Sequence, residues 1–294
     1  MTTAEIYKLA VKIGLSADNK EKSELDILRR QDMAYPDSLI LYAKEQKQIK
    51  KIAAGIDIDC FHIYFAKKIL NCDLVINHHP FSRAANQMPE AVLQQRANLS
   101  FYGLAENQIK RLIEEAAEKL RRQVAADNFF KEEQMARQVD IDLMTLHTVA
   151  DNAAVFILKK MISDKNCSTL GDFIRALSQL KEYKSASRLG QLPFIAKGSE
   201  KDLLGKVCFS EFVGGQESNP EIFPEMKKAG IETIIVPHLS EDFFAAAAET
   251  GLKIIYCGHL ASDSLGMNYF LDKLKELKKD IKIFPLGGLL RKKE

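Results

Sequence analysis

Three short apolar segments of the chain each lead directly into histidine. In two of them an aspartate follows four residues after the histidine, as Asp151 and Asp263. The segments and their histidines are Leu74–Asn77 with His78 and His79, Leu143–Leu146 with His147, and Ile254–Gly258 with His259. Four of the six histidines of the chain therefore occupy one kind of position, where imidazole and carboxylate groups can converge on metal ions.

The spacing of these residues suits a site for two ions. Residues four apart share a face of a helix, so His147 can act with Asp151, and His259 with Asp263. His78 and His79 are adjacent, and a turn out of the strand, stiffened by Pro80, can direct them towards two different ions. Imidazole and carboxylate ligands without a thiolate favour Mn, Fe, Co or Zn over Ca or Mg. The sequence does not determine which of these metals is bound.

Each of these positions also has a purely structural interpretation. A single histidine at the end of a strand is more often a hydrogen-bonded structural residue, and the spacing of His147 and Asp151 is common by chance. The repetition of the pattern in three segments favours the metal site. His62 lies among apolar neighbours on a predicted helix, which indicates a structural role. His238 follows another strand and is either structural or part of the lining of the site.

Strands alternate with helices along most of the chain. A strand at 52–59, a helix at 61–70 and the strand before His78 form a predicted right-handed βαβ unit. The last ninety residues alternate in the same way, with a Gly214–Gly215 turn after the strand at 207–213. This alternation predicts an α/β fold of mixed, mostly parallel sheets flanked by helices, with ligands bound beyond the carboxyl ends of the strands.

The length of 294 residues corresponds to about two domains. We predict an N-terminal lobe at 1–165, with a helical insertion at about 88–138, and a C-terminal α/β lobe at 166–294. About the first 50 residues read as helices, the second with an apolar stripe at Leu25, Ile27 and Leu28. A polar stretch near 182–187 is interpreted as part of the joint between the halves. Apolar residues of the insertion recur at helical spacing, which is typical of an amphipathic helix packed on the protein, although a role in covering the site or binding a partner stays open. These residues are Ile109, Leu112, Ile113, Ala116, Leu120 and Val124.

Composition limits the classes of partner. Lys and Arg total 42 against 40 Asp and Glu, a net charge of +2 that does not indicate a nucleic-acid partner. The five cysteines form no C-x-x-C pair, which argues against a disulfide framework or a zinc ribbon and favours a reducing cytoplasm. No segment approaches the roughly 20 apolar residues of a membrane span. We therefore expect a cytoplasmic protein with a small-molecule substrate.

The motifs around the histidines resemble those of the Nif-three-like family of dinuclear-metal proteins. The stretch 73–80 resembles the strand of that family that runs into His-His-Pro, and 54–57 is similar to its preceding strand. The stretch 147–151 resembles His-Thr-x-x-Asp, and 258–263 resembles Gly-His-x-x-x-Glu with Asp263 in place of the glutamate. The resemblance covers roughly residues 50–80 and 140–285.

The resemblance implies a two-lobed architecture, two metal ions and often a toroidal hexamer. It also implies an activity like that of type 2 GTP cyclohydrolase I, in which water attacks the purine and formate leaves. The ligands that it implies are His78, His79, Asp151, His259 and Asp263. His147 would lie close by, and if it binds no ion its ordinary pKa near 6.5 suits a general acid or base.

Two functions from different classes remain open at this stage. The first is a metal-dependent hydrolase that acts on GTP, on another nucleotide or on a phosphoester. The second is a metal-binding regulatory or scaffold protein without catalytic activity, which the shorter acid at Asp263 and the lack of a nucleotide-binding loop favour modestly.

Overall fold

The structure, a computed structural model, describes residues 1–17, 35–126, 130–209, 217 and 219–292. The predicted stripe at Leu25, Ile27 and Leu28 and the Gly214–Gly215 turn lie outside these residues. The elements up to residue 164 are α1 (Thr3–Ala17), β1 (Ile40–Tyr42), β2 (Lys51–Gly55), α2 (Cys60–Lys68), β3 (Leu74–Asn77), α3 (Arg83–Asn86), α4 (Met88–Phe101), α5 (Glu106–Val124), α6 (Lys131–Val139), β4 (Asp142–Thr145) and α7 (His147–Asp164).

The elements after residue 164 continue the alternation. They are α8 (Leu170–Leu177), α9 (Lys181–Ser187), β5 (Phe194–Lys197), β6 (Val207–Cys208), α10 (Ile222–Lys228), β7 (Thr233–Val236), α11 (Glu241–Glu249), β8 (Lys253–Tyr256), α12 (His259–Leu277) and β9 (Lys282–Leu286). In the described part of the chain, no helix combines the length and the apolar character that a membrane crossing requires.

Two sheets organise the molecule. The first has the strand order β1-β4-β3-β2-β9, in which β1 is antiparallel to β4 and the other pairs are parallel. The second has the order β5-β8-β7-β6, in which β5 is antiparallel to β8 and the other pairs are parallel. The predicted two-lobed α/β fold with mixed, mostly parallel sheets is confirmed.

The C-terminal strand returns to the first sheet. Strand β9 pairs in parallel with β2 along its whole length, from Lys51 opposite Lys282 to Gly55 opposite Leu286. Helix α12 carries the chain back from the second sheet to the first. Each sheet therefore contains segments distant in sequence, and the predicted lobe boundary between residues 165 and 166 stays a prediction.

Helices α7 and α12 lie between the two sheets and contribute to the cores of both. On α7, Val149 and Ala153 pack in the core of the first sheet, while Val155 and Leu158 pack in a core with residues of the second. Helix α12 likewise places Phe270 in one core and other apolar residues in the other. Because these two helices begin at His147 and His259, the central packing of the molecule fixes the residues that carry the chemistry.

The helical segment at 88–124 packs on the second sheet. Ile109, Leu112 and Ile113 are buried in one core with Ile234 and Ile254. The amphipathic stripe predicted for this segment therefore faces the protein. Burial of such a stripe supplies most of the stability of a surface helix.

Three predictions of local structure differ from the structure. Residues 40–42, within the N-terminal region predicted as helical, form strand β1, which pairs with β4. The strand predicted at 52–59 ends at Gly55, because the Ile56 and Asp57 N–H groups both donate to the Gly287 carbonyl and leave the strand ladder. Asp59 then accepts a hydrogen bond from the His62 N–H and caps α2. The polar stretch at 182–187, interpreted as a joint between the halves, is part of helix α9. Glu182 of that helix accepts a 2.8 Å hydrogen bond from the Asn268 side chain, so the polar residue is buried with a partner.

Candidate metal centre

The predicted site residues come together where strands end and helices begin. His78 and His79 follow β3, while His147 is the first residue of α7 and His259 is the first residue of α12. Gly258 precedes His259 with a φ of +93°, a conformation that side-chain-bearing residues rarely adopt, and this turn lets α12 start directly at the histidine. The structure brings all six predicted side chains together, and their roles as ligands or catalyst stay predictions.

The loop with the paired histidines is held by hydrogen bonds. The His78 N–H donates to the Gly55 carbonyl at 2.9 Å, and the His79 N–H donates to the Ile56 carbonyl at 3.2 Å. The Asn77 side chain accepts from the Ile58 N–H and donates to the His79 carbonyl. These bonds turn the chain out of the strand, so that two consecutive imidazoles face the same centre with ring centroids 4.9 Å apart.

Three of the side chains form a compact first group. The Nε2 atoms of His79 and His259 are 3.2 Å apart, and they lie 3.3 Å and 3.2 Å from the Oδ2 atom of Asp263. Two atoms bound to one ion at about 2.1 Å and a tetrahedral angle are about 3.4 Å apart. The three spacings therefore fit atoms that share an ion.

The remaining three side chains form a second, fully buried group. The Nε2 atom of His78 is 3.5 Å from Oδ1 of Asp151, and Nε2 of His147 is 3.9 Å from Oδ2 of the same carboxylate. All three lie within reach of one ion. His78 is also 3.7 Å from Asp263, so the two groups are in contact.

The chemistry of Asp263 supports bound cations. Its Oδ2 atom is buried without a hydrogen-bond partner in the described part of the protein, although it lies 3.2 to 3.7 Å from three imidazole nitrogens. A buried carboxylate oxygen without a partner is costly unless a cation or proton satisfies it. The residues present thus fit a site that could hold metal ions. The Asp263 side chain reaches His79 and His259 even though the family that the chain resembles has the longer glutamate at this position.

The Nδ1 atoms of three of these imidazoles each have a partner of their own. The Nδ1 atom of His79 is 2.6 Å from Oδ1 of Asp57, and Nδ1 of His147 is 2.8 Å from Oδ2 of Asp37. The Nδ1 atom of His78 is 3.3 Å from the Leu146 carbonyl. Such outer partners fix the ring orientation and leave Nε2 facing the centre.

The two outer carboxylates, Asp57 and Asp37, were not predicted as site residues. Asp57 lies in the stretch 54–57, which resembles the strand before the His-His pair in the family. This position could have identified it as a site residue. Asp37 is buried and also accepts a 2.7 Å hydrogen bond from the Thr148 hydroxyl. It is 110 positions from its partner His147, and no pattern around it in the sequence pointed to the site.

Burial and charge shift the pKa values of the site in opposite directions. Burial lowers the pKa of His78 to about 3, which keeps its imidazole neutral and able to bind a cation. For His79 burial also lowers the pKa, but the neighbouring carboxylates of Asp263 and Asp57 outweigh it and raise the pKa to about 9. Burial raises the pKa of Asp263, yet the surrounding histidines lower it overall and keep the carboxylate ionised.

The two remaining histidines differ from each other. The Nδ1 atom of His62 is 2.7 Å from Asp59 at the start of α2, in agreement with a structural role. The ring of His238 lies 4.7 Å from the ring of His259, centroid to centroid. Of the two interpretations left open for His238, the structure favours a residue that borders the site.

Comparison with known proteins supports the fold assignment. No protein-family model matches the sequence, and no curated protein matches it. A NIF3 superfamily protein from Sphaerobacter thermophilus matches with a TM-score of 0.78 and 21% identity, over 98% of this chain and 99% of that one. Reduced HcgD from Methanocaldococcus jannaschii matches with a TM-score of 0.56 and 16% identity, over 91% and 97%. A Bacillus cereus protein related to NIF3 matches with a TM-score of 0.50 and 11% identity, over 96% of each chain.

These similarities extend over nearly the whole chain, whereas the motifs compared in the sequence covered only part of it. The resemblance to the Nif-three-like family is thereby confirmed at the level of the fold: the chain has the fold of NIF3 superfamily proteins.

Proposed function

We propose that the protein binds two divalent transition-metal ions and uses them to hydrolyse a small molecule, a nucleotide or another phosphoester. The observation that carries the proposal is the convergence of six side chains in two adjoining groups, with His78 within reach of both. His79, His259 and Asp263 would hold one ion. The buried group of His78, His147 and Asp151 would hold or border the other.

The chemistry follows from the groups that surround the centre. Ions such as Zn, Fe, Mn or Co would supply a water of lowered pKa and positive charge opposite the charge that develops during hydrolysis. Asp37 accepts the Nδ1 proton of His147, which leaves Nε2 directed at the centre. Where His147 does not bind an ion, this Nε2 is the general base or acid.

Access to the centre is one-sided. The side chain of His259 is 46% exposed and that of His79 is 27% exposed, while His78, His147, Asp151 and Asp263 are 5% exposed or less. A substrate would therefore arrive at the group of His79 and His259. The buried group would be shielded from solvent, where electrostatic interactions are stronger.

The GTP cyclohydrolase reaction is one candidate within this class. Its support is the family resemblance of the motifs, since no guanine-recognition motif is present in the sequence. GTP is therefore one member of the panel to be tested, beside other nucleotides and phosphoesters.

Metal analysis of the purified protein tests the site. We expect about two transition-metal ions per chain, and loss of both in a His78→Ala, His259→Ala double variant. His62→Ala is the matched control, because this histidine is paired with Asp59 away from the centre. Fewer than one ion per chain in metal-supplemented protein, or equal metal content in all three proteins, would refute the metal centre.

Turnover tests the enzyme separately. Metal-loaded protein is incubated with GTP, with release of formate followed, and with a panel of nucleotides and phosphoesters. We expect hydrolysis of at least one compound and its loss in the double variant. Metal-replete protein that turns over nothing while the double variant loses its oligomeric state would instead support the non-catalytic scaffold.

A further inference from the structure

A short segment that follows strand β9 lies beside helix α12. This segment, the strap, consists of residues 287–291. It begins with a tight turn in which the Leu289 N–H donates to the Leu286 carbonyl at 3.0 Å. Both central residues of the turn, Gly287 and Gly288, have a positive φ, of +47° and +84°.

The first end of the strap holds the loop behind His79. The Ile56 and Asp57 N–H groups both donate to the Gly287 carbonyl, at 3.0 Å and 2.9 Å. The same two residues hold His79, because the Ile56 carbonyl accepts the His79 N–H and the Asp57 carboxylate lies 2.6 Å from the His79 Nδ1 atom. One carbonyl group of the strap therefore supports both attachments of His79.

This end of the strap has no room for a side chain. A Cβ atom at Gly287 would overlap the carbonyl oxygen of Asp57, which is a backbone atom and cannot rotate away. Glycine is therefore required here for two reasons, its positive φ and the close approach of the loop.

The rest of the strap follows one face of helix α12. The Leu260 side chain lies next to Gly288, where a Cβ atom would be 3.4 Å from Leu260 Cδ1. One turn further along the helix, the Ser264 hydroxyl oxygen accepts a 3.0 Å hydrogen bond from the Leu290 N–H. Residues four apart share a face of a helix, and the contacted residues have this spacing. They are Leu260, Ser264, Asn268 and Asp272.

The last two contacts are polar and tie the end of the strap to the helix. The buried Asn268 amide donates to the Leu290 carbonyl at 2.9 Å and accepts a 3.2 Å hydrogen bond from the Arg291 guanidinium. The same Nη1 atom of Arg291 lies 2.8 Å from Oδ1 of Asp272. The strap is thus attached along four successive turns of α12.

The strap joins two parts of the accessible ligand group that come from different parts of the chain. His79 follows β3, whereas the other two members of the group lie on α12. The hydrogen bonds of the strap end on the loop before α2 and on α12. The buried ligand group has supports of its own, which are Asp37 and the Leu146 carbonyl.

We propose that the strap is a positioning element of the metal centre, which sets the spacing between His79 and the ligands on α12 without touching an ion or a substrate. The proposal rests on the proposed function and deepens it, because it makes the accessible ion depend on the strap and the buried ion on other residues. The two ions can then be weakened one at a time.

Exchange of a ring proton with water tests the proposal in the absence of metal. Beside a carboxylate the imidazole nitrogen carries the proton, so Asp57 holds the Nδ1–H of His79 and Asp37 holds that of His147. NMR of full-length, metal-free protein measures both exchange rates. We expect Gly287→Ala to speed exchange of the His79 proton at least about tenfold, because the loop at Asp57 is displaced. The His147 proton should keep its rate.

Gly190→Ala is the matched control. Gly190 also has a positive φ, of +82°, but in the described part of the protein no atom outside its own turn lies within 4 Å of a Cβ atom placed there. Both variants therefore carry backbone strain, and only Gly287→Ala meets the loop at Asp57. Gly190→Ala should leave both ring protons unchanged.

Metal competition tests the separation of the two ions. With Zn²⁺ and a chromophoric chelator we expect two binding steps, of which Gly287→Ala weakens one about 10- to 100-fold and leaves the other unchanged. Gly190→Ala should alter neither step. Arg291→Gln removes the ion pair with Asp272 and should weaken the same step by roughly two- to fivefold, which provides a second variant if Gly287→Ala does not fold.

Two results would overturn the proposal. The first is an unchanged exchange rate of the His79 proton in Gly287→Ala, and the second is equal weakening of both binding steps in Gly287→Ala or Arg291→Gln. Unmodified protein without two binding steps would instead refute the proposed metal centre. The exchange measurement contains no metal, so it still decides in that case whether the strap holds His79.

Discussion

At the scale of single residues, the centre depends on the partners behind its imidazoles. Asp57, Asp37 and the Leu146 carbonyl each hold the Nδ1 side of one histidine. A carboxylate in this position fixes the tautomer and makes Nε2 a stronger ligand. The inner histidines were predictable because each site follows an apolar segment, and the aspartates because each lies four residues after a histidine. The partnership of Asp37 with His147 arises only in the folded chain.

Substitution of Asp37 should therefore weaken the centre without removing a ligand. We expect Asp37→Asn to lower the metal affinity about 10- to 100-fold, because the amide no longer provides the negative charge behind His147. Competition with a chromophoric chelator measures the affinity. Asp59→Asn is the control, since Asp59 pairs with His62 outside the centre. Equal loss of affinity in the two variants would contradict the role of Asp37.

Metal uptake should release a proton from His79. Its pKa of about 9 lies above neutral pH, so the metal-free imidazole carries a proton at pH 7 that a metal ion must displace. Affinity should therefore rise with pH up to about 9 and level off above it. Calorimetry in two buffers of different ionisation enthalpy counts the protons released. Release that is unchanged in His79→Ala would show that the proton comes from another group.

At the scale of elements, helices α7 and α12 set the distance between the two groups of ligands. The alternation of strands and helices, and the start of both helices at a histidine, could be predicted from the local pattern. The contact between the two helices could not be predicted, because it depends on Gly266, and nothing in the sequence marks this glycine as a contact residue. A Cβ atom at this position would overlap the carbonyl oxygen of Ala150.

Gly266→Ala should consequently disturb both stability and metal binding. The added methyl group forces α12 away from α7, and we expect a loss of about 1–3 kcal/mol in the free energy of unfolding. Asp263 lies three residues earlier on the same helix, so metal affinity should fall as well. Denaturant titration and metal competition measure the two effects. Leu277→Ala, at an exposed position of α12, should change neither by a comparable amount.

At the scale of the whole molecule, the chain crosses between its two halves more than once. The class of fold could be predicted from the sequence, since alternating elements indicate parallel sheets. The pairing of β9 with β2 could not be predicted, because two strands so far apart in the sequence leave no local pattern that shows they pair. The packing of α4 and α5 on the second sheet could not be predicted either, because contacts between segments distant in sequence leave no local pattern. The hexamer that the family resemblance implies stays a prediction that light scattering can test.

Metal binding should stabilise the molecule as a whole, because the ligands come from both sheets and from the helices between them. A ligand that binds only the folded state adds about 2.7 kcal/mol at one hundred times its Kd. For a chain of this size we expect metal to raise the Tm by roughly 5–10 °C. Scanning calorimetry at several metal concentrations measures the rise, which should disappear in the His78→Ala, His259→Ala variant and persist in His62→Ala. A Tm independent of metal would mean that the two groups do not join the halves of the chain through bound ions.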